Sequence, residues 1–114
     1  MRPVIKIFKA LSDTNRLRIL KMLEIRPLCV CEITEVLQLA TSTVSKHLSI
    51  LRDAELISYE KQEKWVNYKL NKDVSQSYVN QMLPTIGEWL KTDEIIKSDA
   101  DKVKTVDRNQ ICGL

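Results

Sequence analysis

Glycine is nearly absent from this chain of 114 residues: two occur, together with three prolines. So few breakers exclude a loop-rich architecture and point to a helix-rich chain with short connections. Long apolar runs are missing as well, so no stretch reaches the length needed to cross a bilayer. Met1 is followed by a short mixed segment, not by the apolar run of a secretory signal. Histidine occurs once, at His47, which excludes a histidine-rich metal site. There is no Cys-x-x-Cys pair and no phosphate-binding loop, and a small thiol enzyme would want one of the two. Cysteine is scarce and odd in number, at Cys29, Cys31 and Cys112. That is a poor disulfide framework and suits a reducing cytoplasm. No internal repeat or low-complexity tract is present.

What remains is an ordinary composition, 44% apolar and 29% charged, on a length that supports one domain with one core. The net charge of +3 is unevenly spread. Residues 1–26 carry seven cations and two acids, and residues 41–72 carry six and four. Residues 27–40 and 73–114 are each net −2. The basic groups thus sit on the first two-thirds of the chain, as a nucleic-acid footprint requires, although charge of this size does not decide the matter alone.

Periodicity divides the chain. Pro3 suits a first helical turn, and Val4, Ile5, Phe8 and Leu11 then form one helical face. Ser12-Asp13 reads as a stop and a new N-cap. Leu17, Ile19, Leu20 and Leu23 follow as a second buried face, with Arg16, Arg18 and Lys21 outside. Arg26-Pro27 ends this helix, because the residue before proline is pushed out of the helical region. Residues 28–52 then read as two short helices joined by a tight turn, with two cysteines at the entrance. Ile33, Val36, Leu37 and Leu39 mark the first. Ser42 is expected to cap the second, whose inner face is Val44, His47, Leu48 and Leu51. Its outer face carries Thr43, Ser45, Lys46, Ser49 and Arg52. A helix–turn–helix places such a face in the major groove.

After Ala54 the period becomes alternating. Residues 56–61 and 65–70 read as two strands around Gln62-Glu63-Lys64, a wing behind the recognition helix, although the turn lacks the glycine such hairpins favour. From about Ser75 a helical stripe returns through Val79, Met82, Leu83, Ile86, Trp89 and Leu90. Pro84 should kink or restart it. Residues 1–92 are therefore expected to form the winged helix–turn–helix and dimerisation domain, and residues 93–114 a weakly patterned charged tail.

At this point the residues resemble a known family. Phe8-Lys9-Ala10-Leu11-Ser12-Asp13 through Arg16-Leu17-Arg18-Ile19-Leu20 is similar to the opening of the ArsR/SmtB metalloregulatory repressors. So are Thr43-Val44-Ser45-Lys46-His47-Leu48 with Leu51-Arg52, and Lys64-Trp65-Val66-Asn67-Tyr68-Lys69-Leu70. Leu28-Cys29-Val30-Cys31-Glu32 resembles the signature of the arsenic-operon branch and of the related cadmium/lead branch. The resemblance spans roughly residues 4–90, with several motifs in order. It implies a mainly α, homodimeric winged-helix repressor, dimerised through its terminal helices, that leaves its operator when a metal or metalloid binds. Four departures stand out. Thr34 occupies the place of a third cysteine of the arsenic repressors, and Glu63 the place of a wing glycine. The histidine ligands of the zinc-sensing branch are missing from residues 74–93, and the N-terminal cysteines of the cadmium/lead branch from residues 1–28.

Spacing constrains the cysteines. On a helix, residues two apart point about 200° from each other and cannot grip one ion; in an extended segment they lie on one side. Ligation by Cys29 and Cys31 therefore needs the start of the first motif helix to be unwound, and it would reshape the element that positions the recognition helix. Soft thiolates suit arsenite and antimonite, and also zinc, cadmium or Cu(I). The other reading is two small buried hydrophobes. For a third ligand the candidates are Cys112, on a tail that can fold back, and a solvent thiol or hydroxide; the other reading of Cys112 is a disordered terminal thiol.

Among the outward residues, Ser42, Thr43 and Ser45 suit base edges and Lys46 suits a phosphate, with Arg52 on the same DNA-binding face. His47 either packs against the neighbouring helix or donates to a phosphate. Lys61 and Lys64 are expected to reach the backbone from the wing. Phe8, Val79, Met82, Ile86 and Trp89 are expected at the dimer interface. The chain as read is an arsenite- or antimonite-responsive repressor of an operator with an imperfect inverted repeat. Its rivals are a redox or cadmium/lead/zinc sensor on the same scaffold and, from another class, a small thiol enzyme of arsenic metabolism.

Overall fold

The computed structural model describes residues 1–72 and 77–111. Helix α1 (Arg2–Leu11) carries Pro3 in its first turn. Its inward residues are Ile7 and Ala10, flanked by half-buried Val4 and Leu11. The face expected to be buried is thus rotated: Ile5 and Phe8 are 43% and 59% exposed. Asp13 then caps α2 (Thr14–Leu23), accepting from the backbone N–H groups of Asn15 and Arg16 at 2.8 and 3.1 Å.

Strand β1 (Leu28–Cys29), which the periodicity missed because it is two residues long, leads directly into α3 (Val30–Leu37). A tight turn separates α3 from α4 (Thr41–Asp53). Strands β2 (Ile57–Gln62) and β3 (Trp65–Leu70) form the wing hairpin, with Gln62 opposite Trp65. The sheet has three antiparallel strands in the order β1-β3-β2, so the wing is tied to the body through Leu28–Tyr68 and Cys29–Asn67 pairs. Helix α5 (Ser77–Glu88) runs through Pro84 without a break. Scarcity of glycine has a visible consequence. Gln38, Glu55, Glu63 and Leu90 hold left-handed φ of 57–63° with side chains attached, at about 1 kcal/mol or more each.

The stretch expected as a charged tail after residue 92 is mostly helical. Asp93 caps α6 (Glu94–Thr105), and α7 (Arg108–Ile111) follows. Helix α6 lies across α2 and α3, and together with the end of α5 it accounts for a second difference. Arg18 and Lys21, expected outside, are covered. Arg18 makes a two-pronged pair with Asp99 at 2.8 and 2.9 Å, and the Asp99 carboxylate is 3% exposed. Lys21 donates to the Ile86 carbonyl at 3.1 Å and pairs with Glu24 at 2.9 Å. Within the expected stripe on α5, Val79 and Ile86 are fully enclosed by the chain's own core with Ile7, Leu20, Leu48 and Val103. They are therefore unavailable to a partner chain. Trp89 lies just past the end of α5 and is 43% exposed.

Candidate functional site

Two sites adjoin in the motif helices. The first is the outer face of α4. Val44, Leu48 and Leu51 point into the core, which turns Thr41, Ser42, Thr43, Ser45, Lys46 and Ser49 outward. Ser42 is not the cap. The chain is extended at Ala40 (ψ 146°) and already helical at Thr41, and the Ala40 carbonyl accepts from Val44 N–H at 3.1 Å. Ser42 is thus the second helical residue, and its hydroxyl side belongs to the exposed end of the helix. His47 is half-buried, with Nδ1 3.2 Å from the Arg16 guanidinium. Arg16 itself donates to the Ala10 and Lys9 carbonyls at the end of α1. His47 thus faces α2, the packing alternative of its two. Arg52 lies 4.2 Å over the Tyr59 ring and is drawn toward the root of the wing. Lys61 and Lys64 are both exposed, and Lys64 sits 5.5 Å from the Trp65 ring centroid.

The second site is the junction of β1 and α3. Cys29 has extended backbone (φ −87°, ψ 168°) and stands at the N-cap of α3, while Cys31 is inside the first turn. The helix therefore begins between the two thiol positions, neither limit considered from spacing. The Cys29 side chain faces the Glu32 backbone N–H, and Glu32 Oε1 accepts from the Cys29 backbone N–H at 3.0 Å. This is a capping box with sulfur in place of a hydroxyl. Cys29 keeps a free, buried thiol. Burial pushes that thiol's pKa up, and the Glu32 carboxylate adds to the rise, against the pull of the Glu32 and Cys31 backbone N–H groups. Cys31 is disulfide-bonded. No bridge joins it to Cys29, as the strain of so short a ring requires.

Glu32, which the sequence reading named in the signature without a role of its own, caps the start of α3, as an acid three residues after the N-cap can. It is 4% exposed, and its carboxylate is paired with Arg26 at 3.2 Å. Arg26 also donates to the Val103 and Val106 carbonyls at 2.9 and 3.0 Å, at the end of α6. The thiol junction is thereby wired to the C-terminal helices. The Thr34 hydroxyl donates to the Val30 carbonyl at 2.7 Å within α3. Cys112 lies outside the described residues. Among the described residues, no three Cys, His, Asp or Glu side chains come together as an ion would need.

Of the residues expected at a dimer interface, Phe8 is exposed and Met82 half-buried. Both line an apolar cleft between α1 and α5 with Val4, Tyr78 and Gln81.

Comparison with known proteins bears on the α3–α4 unit first. Residues 13–59 match the family described as "Bacterial regulatory protein, arsR family". Over 108 residues the chain is 34% identical to the arsenical resistance operon repressor of Escherichia coli, covering 92% of this chain and 82% of that one. A cadmium resistance transcriptional regulatory protein CadC homolog of Staphylococcus aureus is 39% identical over 69 residues, 60% of this chain and 57% of that one. Among solved structures, HlyU from Vibrio cholerae superposes with a TM-score of 0.62 at 32% identity, covering 75% of this chain and 88% of that one. These relatives are regulators, not enzymes. With an exposed polar face on the second motif helix, a wing behind it and this likeness over nearly the whole length, the chain belongs to the ArsR family of bacterial transcriptional repressors.

Proposed function

We propose that this repressor responds to arsenite or antimonite, binding operator DNA as a homodimer and releasing it when the metalloid is held by Cys29 and Cys31, with Cys112 as the third donor. The observation that carries this is the position of Cys29 and Cys31 on either side of the first residue of α3. Bringing both sulfurs onto one atom requires the first turn of α3 to open. That breaks the Cys29–Glu32 cap, and α3 positions α4.

The chemistry of Cys29 favours a metalloid over a divalent cation. A thiol whose pKa is raised stays protonated near neutral pH. Once a small-molecule thiol has reduced the disulfide at Cys31, arsenous acid condenses with protonated thiols: As(OH)3 and three R–SH give As(SR)3 and three waters, with no net proton released. A cadmium or zinc ion must instead displace the proton of each thiol it takes. The name of the Escherichia coli relative, an arsenical resistance operon repressor, is in keeping with this.

Toward DNA, Ser42, Thr43 and Ser45 are assigned to base edges and Lys46, Lys61 and Lys64 to phosphates, with Arg52 supporting the wing root. The twofold axis runs through the α1–α5 cleft, where Phe8, Met82 and Trp89 meet the partner. Two recognition helices related in this way fit an imperfect inverted repeat with half-sites about 10 bp apart. The test is a gel shift on the DNA upstream of the gene, with and without arsenite. Release from the parent protein and none from Cys29→Ser or Cys31→Ser is expected. Full release from the double Cys29→Ser/Cys31→Ser variant overturns the sensor assignment.

A second reading, a thiol redox switch on the same scaffold, is favoured by one observation: Cys31 is disulfide-bonded. Operator release by peroxide or diamide in the absence of any metalloid, reversed by dithiothreitol and lost in Cys31→Ser, would select it.

A further inference from the structure

Trp65 opens β3 beside the wing turn, yet it is 6% exposed while Gln62, Glu63 and Lys64 around it lie outside. One of its covers comes from the far end of the chain. The Arg108 guanidinium carbon of α7 sits 4.8 Å from the Trp65 ring centroid. The same guanidinium donates to Asn67 Oδ1 at 2.9 Å. Trp65 and Asn67 are two apart on a strand and so share a face, and Arg108 grips that face at both positions. Asn67 is 9% exposed, so its amide oxygen needs such a donor. Its amide nitrogen donates in turn to Gln62 Oε1 at 2.9 Å. Gln62 is the residue paired with Trp65 across the turn. Pairing with β1 reaches only as far up the wing as Asn67, and Arg108 adds a tie from α7 to the tip at Trp65.

We propose that Arg108 is a positioning residue for operator binding, holding the wing in the orientation its turn needs at the DNA. It lies outside residues 13–59, the stretch matched to the family. Asn67 is also the β3 partner of Cys29. The strand that Arg108 grips is therefore the one that the thiol junction borders, and opening the start of α3 loosens the same clamp. The proposal rests on the reading that the wing contacts DNA.

The test uses the full chain: quenching is read with Trp89→Phe, which leaves Trp65 as the sole tryptophan, and operator affinity is read without that change. Arg108→Ala should raise acrylamide quenching of Trp65 and weaken operator binding by about tenfold at physiological salt, with thermal unfolding showing the chain still folded. Arg108→Lys should recover part of both, because it keeps the charge over the ring but not the planar fork. In a Lys61→Ala/Lys64→Ala background, Arg108→Ala should cost no further affinity, since the wing no longer contributes. Unchanged quenching refutes the clamp. Raised quenching at unchanged affinity, or a full additive loss in the wing-lysine background, refutes positioning. If Lys61→Ala/Lys64→Ala binds like the parent while Arg108→Ala still exposes Trp65, the wing contact itself is wrong; the positioning role falls with it and the clamp stands.

Discussion

Cys29 and Glu32 cap each other across the first turn of α3, the thiol facing the Glu32 backbone N–H and the carboxylate accepting from the Cys29 backbone N–H at 3.0 Å. Any ligand that takes Cys29 must therefore compete with the start of a helix. It must also disturb Glu32, which through Arg26 is tied to the carbonyls that end α6.

A pH dependence follows that separates inducers. Burial holds the Cys29 pKa above its ordinary value, so the thiol is protonated below that raised pKa and protons compete with cations there. Arsenite should release the operator with nearly equal potency from about pH 6 to 8, because its condensation exchanges hydroxide for thiol and expels only water. Cadmium potency should rise by up to about tenfold per pH unit for each thiol proton displaced. The measurement is a set of release curves by fluorescence anisotropy at several pH values. An arsenite response that weakens tenfold toward pH 6 would contradict the protonated-thiol account.

The third donor is tested separately. Cys112→Ser should reduce the arsenite response by orders of magnitude while leaving the response to phenyl arsenicals, which need two thiolates. Equal arsenite potency with and without Cys112 would leave the site with two protein sulfurs.

On α4, Lys46→Ala should weaken binding to every sequence and lower the slope of log K against log salt by about one. Thr43→Val should act on specificity instead, changing discrimination at one base position by roughly 1–3 kcal/mol. An unaltered salt slope for Lys46→Ala would remove its phosphate role.

The assembly prediction depends on which apolar residues the chain's own core leaves exposed. Phe8→Glu should give folded monomers, because Phe8 is 59% exposed within the protomer and the new charge meets only a partner's apolar surface. Trp89→Glu should do the same. Val79→Glu should unfold the chain, since Val79 is 0% exposed. Sedimentation of Phe8→Glu as an intact dimer would move the interface elsewhere.

Asp99 anchors α6 to α2. Asp99→Ala leaves Arg18, with its side chain 19% exposed, bonded to Asn15 Oδ1 but without its carboxylate. The expected loss is about 3 kcal/mol, measured by urea unfolding. A loss below about 0.5 kcal/mol would mean that the pair is no more than a surface ion pair.

Local patterns were enough for what is decided within one turn or one hairpin. Asp13 as a cap, the inner face of Val44, Leu48 and Leu51, and the second wing strand stand where periodicity and capping chemistry put them, and the first wing strand lies one residue later, with Gln62 in the ladder and not in the turn. Each depends on residues three or four apart, or on alternation, and those signals are carried by the sequence itself.

What only the tertiary structure decided is which side of an apolar stripe another element covers. Ile5 and Phe8 fit the same helical period as Ile7 and Ala10, yet only the second pair meets the core. Val79 and Ile86 share a stripe with Met82, and the core takes them alone in full. Arg18 and Lys21 read as solvated cations until α6, charged and weakly patterned, brings Asp99 to Arg18 and the end of α5 brings the Ile86 carbonyl to Lys21. A helical period fixes the angle between residues on one helix but carries no information about the neighbour that arrives tens of residues later. The ties from Arg26 to the end of α6 and from Arg108 to Trp65 and Asn67 are contacts of that kind. The cysteine pair and the recognition face were therefore written in the sequence, and the wiring that joins them to the wing and the C-terminal helices was settled by packing.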